Sequence, residues 1–449
     1  MPIEKLGLVE KVSYGFGDMG TSLAYNMASG FLLFYYINVV HLPAAAIGTV
    51  FLVARLLDAV IDTLVGIALD KTRSRWGRTR GYFLFTAVPY ALVSVAIFHV
   101  PAWGKSAQIA YAFLTFKALG ILMSFQAIPY TALMPMMTQD VGERLKLSGM
   151  RSVGTSVSVV LGTAAVMPLV GLFGGDDQQR GFLAVATLFA GVGLVCTFAL
   201  FRNCRERFED GSAPDFAIMP AVREMLRNRA WLVVFGSCLL YFIRFGLMMA
   251  ATAYFAIDVL QKPWMIAIML PAVSGMLLLS SFVAPPILAR TGIKRGSAAA
   301  LGLAALLFAA LPLAEHSVPA FLALYVTACL ATSITITAAF AMIAETVDYH
   351  EWKFGCRREG LLSAGISLST KLGMAIGTAG FAYMLGAAGY EAGHASDSAR
   401  EAIRWTYYGS AVVLLGLQMV VVLLWPMDGL HETIRRDITE RGAVAHNSH

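Results

Sequence analysis

Apolar runs of roughly 20 residues recur from one end of this chain to the other, the length an α-helix needs to cross the hydrocarbon of a bilayer. They read at about 12–39, 44–70, 81–100, 106–138, 148–173, 181–202, 230–258, 264–289, 297–315, 319–346, 360–388 and 402–426. In hydrocarbon every backbone N–H and C=O must be bonded within the protein, so runs like these can only be helices. The expected fold class is all-α and integral to the membrane. Composition agrees, with 58% hydrophobic and 14% charged residues, where a soluble domain averages about 25% charged. The runs leave no room for a large soluble domain. The opening MPIEKLGLVEK is charged and the first run is long enough to stay a helix, so no cleaved signal peptide is expected.

The connectors alternate in charge. KTRSRWGRTR (71–80), the stretch around Arg144 and Lys146, RNCRERFEDG (202–211), RTGIKR (290–295), KFGCRR (353–358) and the tail with Arg435 and Arg436 are basic. The connectors between them hold few Lys or Arg, which places both termini in the cytoplasm. Residues 203–229, with Pro214 and Pro220, form the one long polar break before the tail. The expected division is an N-terminal six-helix bundle at 1–202, a cytoplasmic central loop at 203–229, a C-terminal six-helix bundle at 230–426 and a cytoplasmic tail at 427–449. LDKTRSRWGRTRG after the second run and LARTGIKRG after the eighth are a weak internal echo. Two parallel six-helix halves are the major facilitator plan, with a solute site near the midplane.

Two aspartates, Asp58 and Asp62, lie deep in the second run. Four residues apart, they share one helix face about 6 Å apart along the axis. A carboxylate at that depth is costly unless it meets a partner, a cavity or an ion. The pair points to cation or proton coupling, with structural ion pairs to Arg55 or Arg151 as the plain alternative. Arg55, one turn before Asp58, is placed to approach its carboxylate. The five cysteines form no CxxC pair and are expected as free thiols. No phosphate-binding loop and no catalytic constellation appears, so neither an ATP-driven pump nor an enzyme is indicated. No nucleic-acid partner and no cofactor beyond the coupling H+ or Na+ is expected, and the protein is expected to act as a monomer.

Three segments resemble the glycoside–pentoside–hexuronide:cation symporter family: FLVARLLDAVID with TRSRWGRTRGY, AETVDYHEWKFGCRREG, and KVSYGFGDMG. The resemblance implies a cation-coupled transporter of a sugar or sugar derivative, neutral or anionic, working by alternating access. It implies that Asp58 and Asp62 bind the coupling cation, with Arg55 beside them and Ser124 as a further oxygen. Ile61 stands where one well-known member of the family carries asparagine, and isoleucine supplies no oxygen. A proton needs one carboxylate of raised pKa, so H+ is favoured over Na+. The resemblance also places Lys371 and Arg151 at the solute site, with Gln126 and Tyr130 beside the fourth-helix positions that grip sugar. That grip is otherwise missing: Thr21, Ser22, Ala127 and Thr131 stand where charged or aromatic residues are expected. Arg244 in the seventh helix joins Lys371 as a candidate anion clamp. Asp70, Arg73 and Arg78 are expected to gate the first half, pairing with Asp140, Glu143 or helix ends. Glu345, Asp348, Arg357 and Arg358 are expected to gate the second. An amphipathic lysolipid-like solute and a non-transporting sensor are the other readings.

Overall fold

The computed structural model describes residues 6–72, 74–138, 140–207, 223–355, 359–391, 395–427, 434 and 437. Its regular elements are α1 (Leu8–Gly17), α2 (Met19–Phe34), α3 (Ala44–Lys71), α4 (Arg80–Ala96), α5 (Lys105–Met137), α6 (Val141–Ala164), α7 (Val166–Gly174), α8 (Gln178–Asn203), α9 (Arg229–Tyr254), α10 (Ile266–Thr291), α11 (Ile293–Ala310), α12 (Val318–Phe354), α13 (Glu359–Ala387) and α14 (Asp397–Leu423). With α1–α2 and α6–α7 each counted as one rod, these are the twelve helices that the apolar runs predict. Among the described residues, length and apolarity alone qualify six as membrane spans, or seven with the bent pair α6–α7. The α1–α2 rod is interrupted at Asp18, and α4 has only 17 residues. Large apolar side chains such as Leu313, Phe282 and Leu172 lie on the outside, as a lipid-facing surface requires.

Local chemistry sets the ends. Asp140 caps α6 by accepting the Glu143 N–H at 2.7 Å, and Asp177 caps α8 through the Arg180 N–H at 3.0 Å. Gly355, at φ +72°, closes α12 in the left-handed conformation. The 49° bend between α6 and α7 follows from Pro168, whose ring excludes the carbonyl four residues back, that of Ala164.

Packing divides the chain into two compact units. One comprises Met1–Ala213, Met248–Gly275 and Thr378–Arg404; the other comprises Pro214–Leu247, Met276–Gly377 and Trp405–His449. Small residues bring the helices of the first unit together: a methyl on Gly193 would stand 2.7 Å from the Gly20 carbonyl oxygen. The second unit is built around Trp231, Tyr241, Leu362 and Trp425, with the Trp231 indole N–H donating to the Leu362 carbonyl at 3.0 Å.

A repeat stronger than the basic-turn echo sits in the first unit. YYINVVHLP (35–43) and FAIDVLQKP (255–263) adopt the same conformation. Each runs through a five-residue π-helix, Tyr35–Val39 and Phe255–Val259. Each then places one non-glycine residue at positive φ, His41 at +59° and Gln261 at +55°. The bonds repeat too: Val40 N–H to Tyr35 O and Leu42 N–H to Tyr36 O in one, Leu260 N–H to Phe255 O and Lys262 N–H to Ala256 O in the other. Asn38 and Asp258, equivalent in the two copies, both lie 3.0 Å from the Tyr390 hydroxyl. Tyr254 packs between Phe34, Phe381 and Tyr390 beneath them.

Among the described residues Cys196, Cys204, Cys238 and Cys329 are free thiols, as expected; Cys356 lies outside them.

Candidate functional site

The two aspartates of α3 face α5, and the two helices run in the same direction there. The Lys117 ammonium of α5 lies 2.5 Å from Asp58 Oδ1 and donates to the Ala54 carbonyl at 3.1 Å. One turn further along, the Ser124 hydroxyl donates to Asp62 Oδ1 at 2.5 Å and sits 3.1 Å from the Gly120 carbonyl. Gly120 lies between them. A methyl there would stand 2.8 Å from Asp58 Oδ1, so only glycine admits the carboxylate at this depth. Lys117 and Asp58 are each 8% exposed. Breaking such a pair on one side costs about 3–5 kcal/mol, because the remaining charge stays buried.

Arg55 lies within electrostatic reach of Asp58, as expected, but hydrogen-bonds elsewhere. Its guanidinium turns to α2, donating to the Tyr25 hydroxyl at 2.7 Å and stacking over Tyr25 and Phe116 at 5.2 and 5.6 Å. Asp58 is paired with Lys117 instead. Lys117 was legible: it is a lone lysine about twelve residues into an apolar helix, too deep for its ammonium to reach either surface easily. The Asp62–Ser124 contact joins two of the residues named from the sequence.

A second polar cluster gathers at the α1–α2 break. The Asp18 carboxylate accepts from the Ser22 hydroxyl at 3.2 Å and the Thr155 hydroxyl at 2.6 Å, and Arg151 lies 3.8 Å away. The Arg151 guanidinium also covers the Tyr130 ring at 4.8 Å. Tyr130 stacks on Tyr14 and gives its hydroxyl to the Tyr14 carbonyl at 2.7 Å. It therefore presents a ring face beneath Arg151 and commits its hydroxyl to the backbone. Gln126 is buried at 2% exposure. Asp18 went unnoticed in the sequence, although it interrupts an otherwise uncharged GFGDMG.

In the second unit Arg244 of α9 is buried, with its guanidinium over the Tyr241 ring at 5.2 Å. Lys371 sits half-buried near the middle of α13.

The loop after α3 is held by a residue that sequence reasoning passed over. The Glu206 carboxylate accepts the backbone N–H groups of Arg78, Thr79 and Arg80 and the Thr79 hydroxyl, at 2.7 to 3.1 Å. The Arg78 Nε donates to the Leu69 carbonyl and the Arg80 guanidinium to that of Phe201, at 3.1 and 2.6 Å. Of the expected partners, the helix ends are the ones these bonds reach. Asp140 is a helix cap, and Glu143 is paired with Lys11 at 2.7 Å and Lys146 at 2.9 Å. Asp70 is in the last turn of α3, and Glu345 and Asp348 are half-buried on α12. Arg73, Arg357 and Arg358 lie outside the described residues.

A twelve-helix membrane chain with charged and hydroxyl side chains facing one another inside its helix bundles is a solute transporter of the major facilitator class. The chain matches the family described as MFS/sugar transport protein over residues 13–429. It is 31% identical to the isoprimeverose transporter of Lactiplantibacillus pentosus, over 97% of this chain and 92% of that one. It is 31% identical to the inner membrane symporter YicJ of Escherichia coli (strain K12), over 87% of this chain and 85% of that one. In fold it resembles a bacterial homologue of the human lysosomal transporter Spinster, with a TM-score of 0.68 at 14% identity, over 93% of this chain and 95% of that one. The protein belongs to the glycoside–pentoside–hexuronide:cation symporter family of the major facilitator superfamily.

Proposed function

We propose that this protein is a proton-coupled symporter that accumulates a sugar or sugar derivative across a bacterial inner membrane, with both termini in the cytoplasm. The observation that carries the coupling reading is the α3–α5 ladder. Asp58 is paired with the Lys117 ammonium, and Asp62, one turn along α3, accepts from the Ser124 hydroxyl. Sodium needs several oxygens around it, and Ile61 next to Asp62 contributes none. Protonation neutralises a buried carboxylate without further ligands. In this reading the loaded, neutral Asp62 lets the halves 1–202 and 230–426 rock about the solute, and the charged empty site does not. Uptake into proteoliposomes should follow an imposed pH gradient and ignore sodium. Uptake driven by a sodium gradient at constant pH would refute the proton assignment.

Arg244 favours a solute with a carboxylate or sulfonate, since a buried guanidinium offers bidentate geometry to such a group. Arg244→Ala should then weaken the anionic solute far more than its neutral analogue. Equal losses would make Arg244 structural.

A further inference from the structure

We propose that Lys117 is a tethered cation that occupies the ion position at Asp58, and that it thereby makes the carrier indifferent to sodium. The proposal rests on the proton-coupled reading and names the residue that enforces it.

The geometry is that of an occupied cation site. The Lys117 ammonium takes two oxygens at once, Asp58 Oδ1 at 2.5 Å and the Ala54 carbonyl at 3.1 Å. A carboxylate and a backbone carbonyl are the hard donors that an alkali cation would recruit. The Asp62 carboxylate lies one turn along α3 and accepts from the Ser124 hydroxyl. A covalently held ammonium competes intramolecularly, at an effective concentration set by its short tether. Sodium could enter only by expelling it, which would strand an ammonium among the apolar side chains of α3 and α5. Both flanking arginines make their direct contacts elsewhere. Arg55 is turned toward Tyr25 and Phe116, and Arg151 stands beside Asp18 and Tyr130. Gly120 holds the pair in register, because any side chain there would push Asp58 off the ammonium.

The consequence is a division of labour on one helix face. Asp58 is loaded by the protein's own cation, and the proton-coupled reading assigns the ion that moves to Asp62. A pair that merely holds α3 to α5 would predict lost stability on mutation and no new ion response.

The test is thermal unfolding of the purified full-length protein in detergent, in sodium chloride against choline chloride at equal ionic strength. The wild type should unfold at the same temperature in both. Lys117→Met should unfold earlier in choline and gain a sodium-dependent rise that saturates with concentration. Lys117→Arg should remain indifferent. Adding Asp58→Asn to Lys117→Met should abolish the sodium response. Should the methionine variant not fold, Lys117→Gln, which can still hydrogen-bond Asp58, serves in its place with the same expectation. A folded neutral variant that unfolds alike in both salts overturns the proposal and leaves the proton reading standing. A wild type stabilised by sodium overturns both.

Discussion

Gly120→Ala is the sharpest test of the packing at the carboxylates. The added methyl would lie 2.8 Å from Asp58 Oδ1 and 3.3 Å from both its Cγ and Oδ2. Ordinary carbon–oxygen contact begins several tenths of an ångström further out, so something must move. The carboxylate cannot retreat freely, because Lys117 holds it and α3 and α5 pack closely along this stretch. Overpacking of this kind costs about 1–3 kcal/mol. Loosening the Asp58–Lys117 pair adds to that, since both charges remain buried. The control is Gly66→Ala on α3, where nothing lies within 4 Å of the new methyl. Mid-helix alanine is favoured over glycine by about 1 kcal/mol, so this variant should be neutral to stabilising. Thermal unfolding of both variants in detergent reads the difference. If Gly120→Ala unfolds with Gly66→Ala, the close approach of Asp58 to α5 is not present in the protein and the ladder is wrongly drawn.

Asp62→Asn should abolish gradient-driven accumulation while leaving solute exchange, measured by counterflow in proteoliposomes; full accumulation would remove Asp62 from coupling. Tyr390→Phe deletes the hydroxyl shared by Asn38 and Asp258 and should cost about 1.5–3 kcal/mol, as expected for a bond to a charged partner. Tyr383→Phe, on an exposed contact with Thr49, should cost much less in the same unfolding assay. Glu143, before the membrane span of α6, has its carboxyl lowered to about 2 by hydrogen bonds from Lys11 and Lys146. A lowered folded-state value means that its contribution is fully present above its ordinary value of 4.5 and fades as pH falls toward 2. Lys11→Met should therefore reduce stability at neutral pH, and the gap from wild type should narrow through that acid range. A gap independent of pH would mean that the Lys11–Glu143 pair contributes through packing alone.

Much of this molecule is written locally. Burying a backbone in hydrocarbon permits only helices, so the apolar runs settle the helix number and order without any knowledge of contacts. The i,i+4 spacing of Asp58 and Asp62 places them on one face, because a helix turns once per 3.6 residues whatever surrounds it. Pro168, Asp140, Asp177 and Gly355 act within one turn of themselves and are equally readable.

What the chain does not declare is which face meets which. Arg55 lies one turn from Asp58 in sequence, yet its long side chain turns to Tyr25, and the partner of Asp58 comes from α5. That choice depends on how far two helices slide and rotate against each other, and Gly120 sets it by letting α5 approach. Glu206 is distant in sequence from Arg78–Arg80 and reaches their N–H groups only because the end of α8 stands beside the start of α4. The twin turns at His41 and Gln261 share few identical residues, so their kinship shows in backbone angles and hydrogen bonds more plainly than in letters. Helix formation is decided within a few residues and is legible in the sequence. Pairing between helices is decided by surfaces assembled from the whole chain, and only the tertiary structure reveals it.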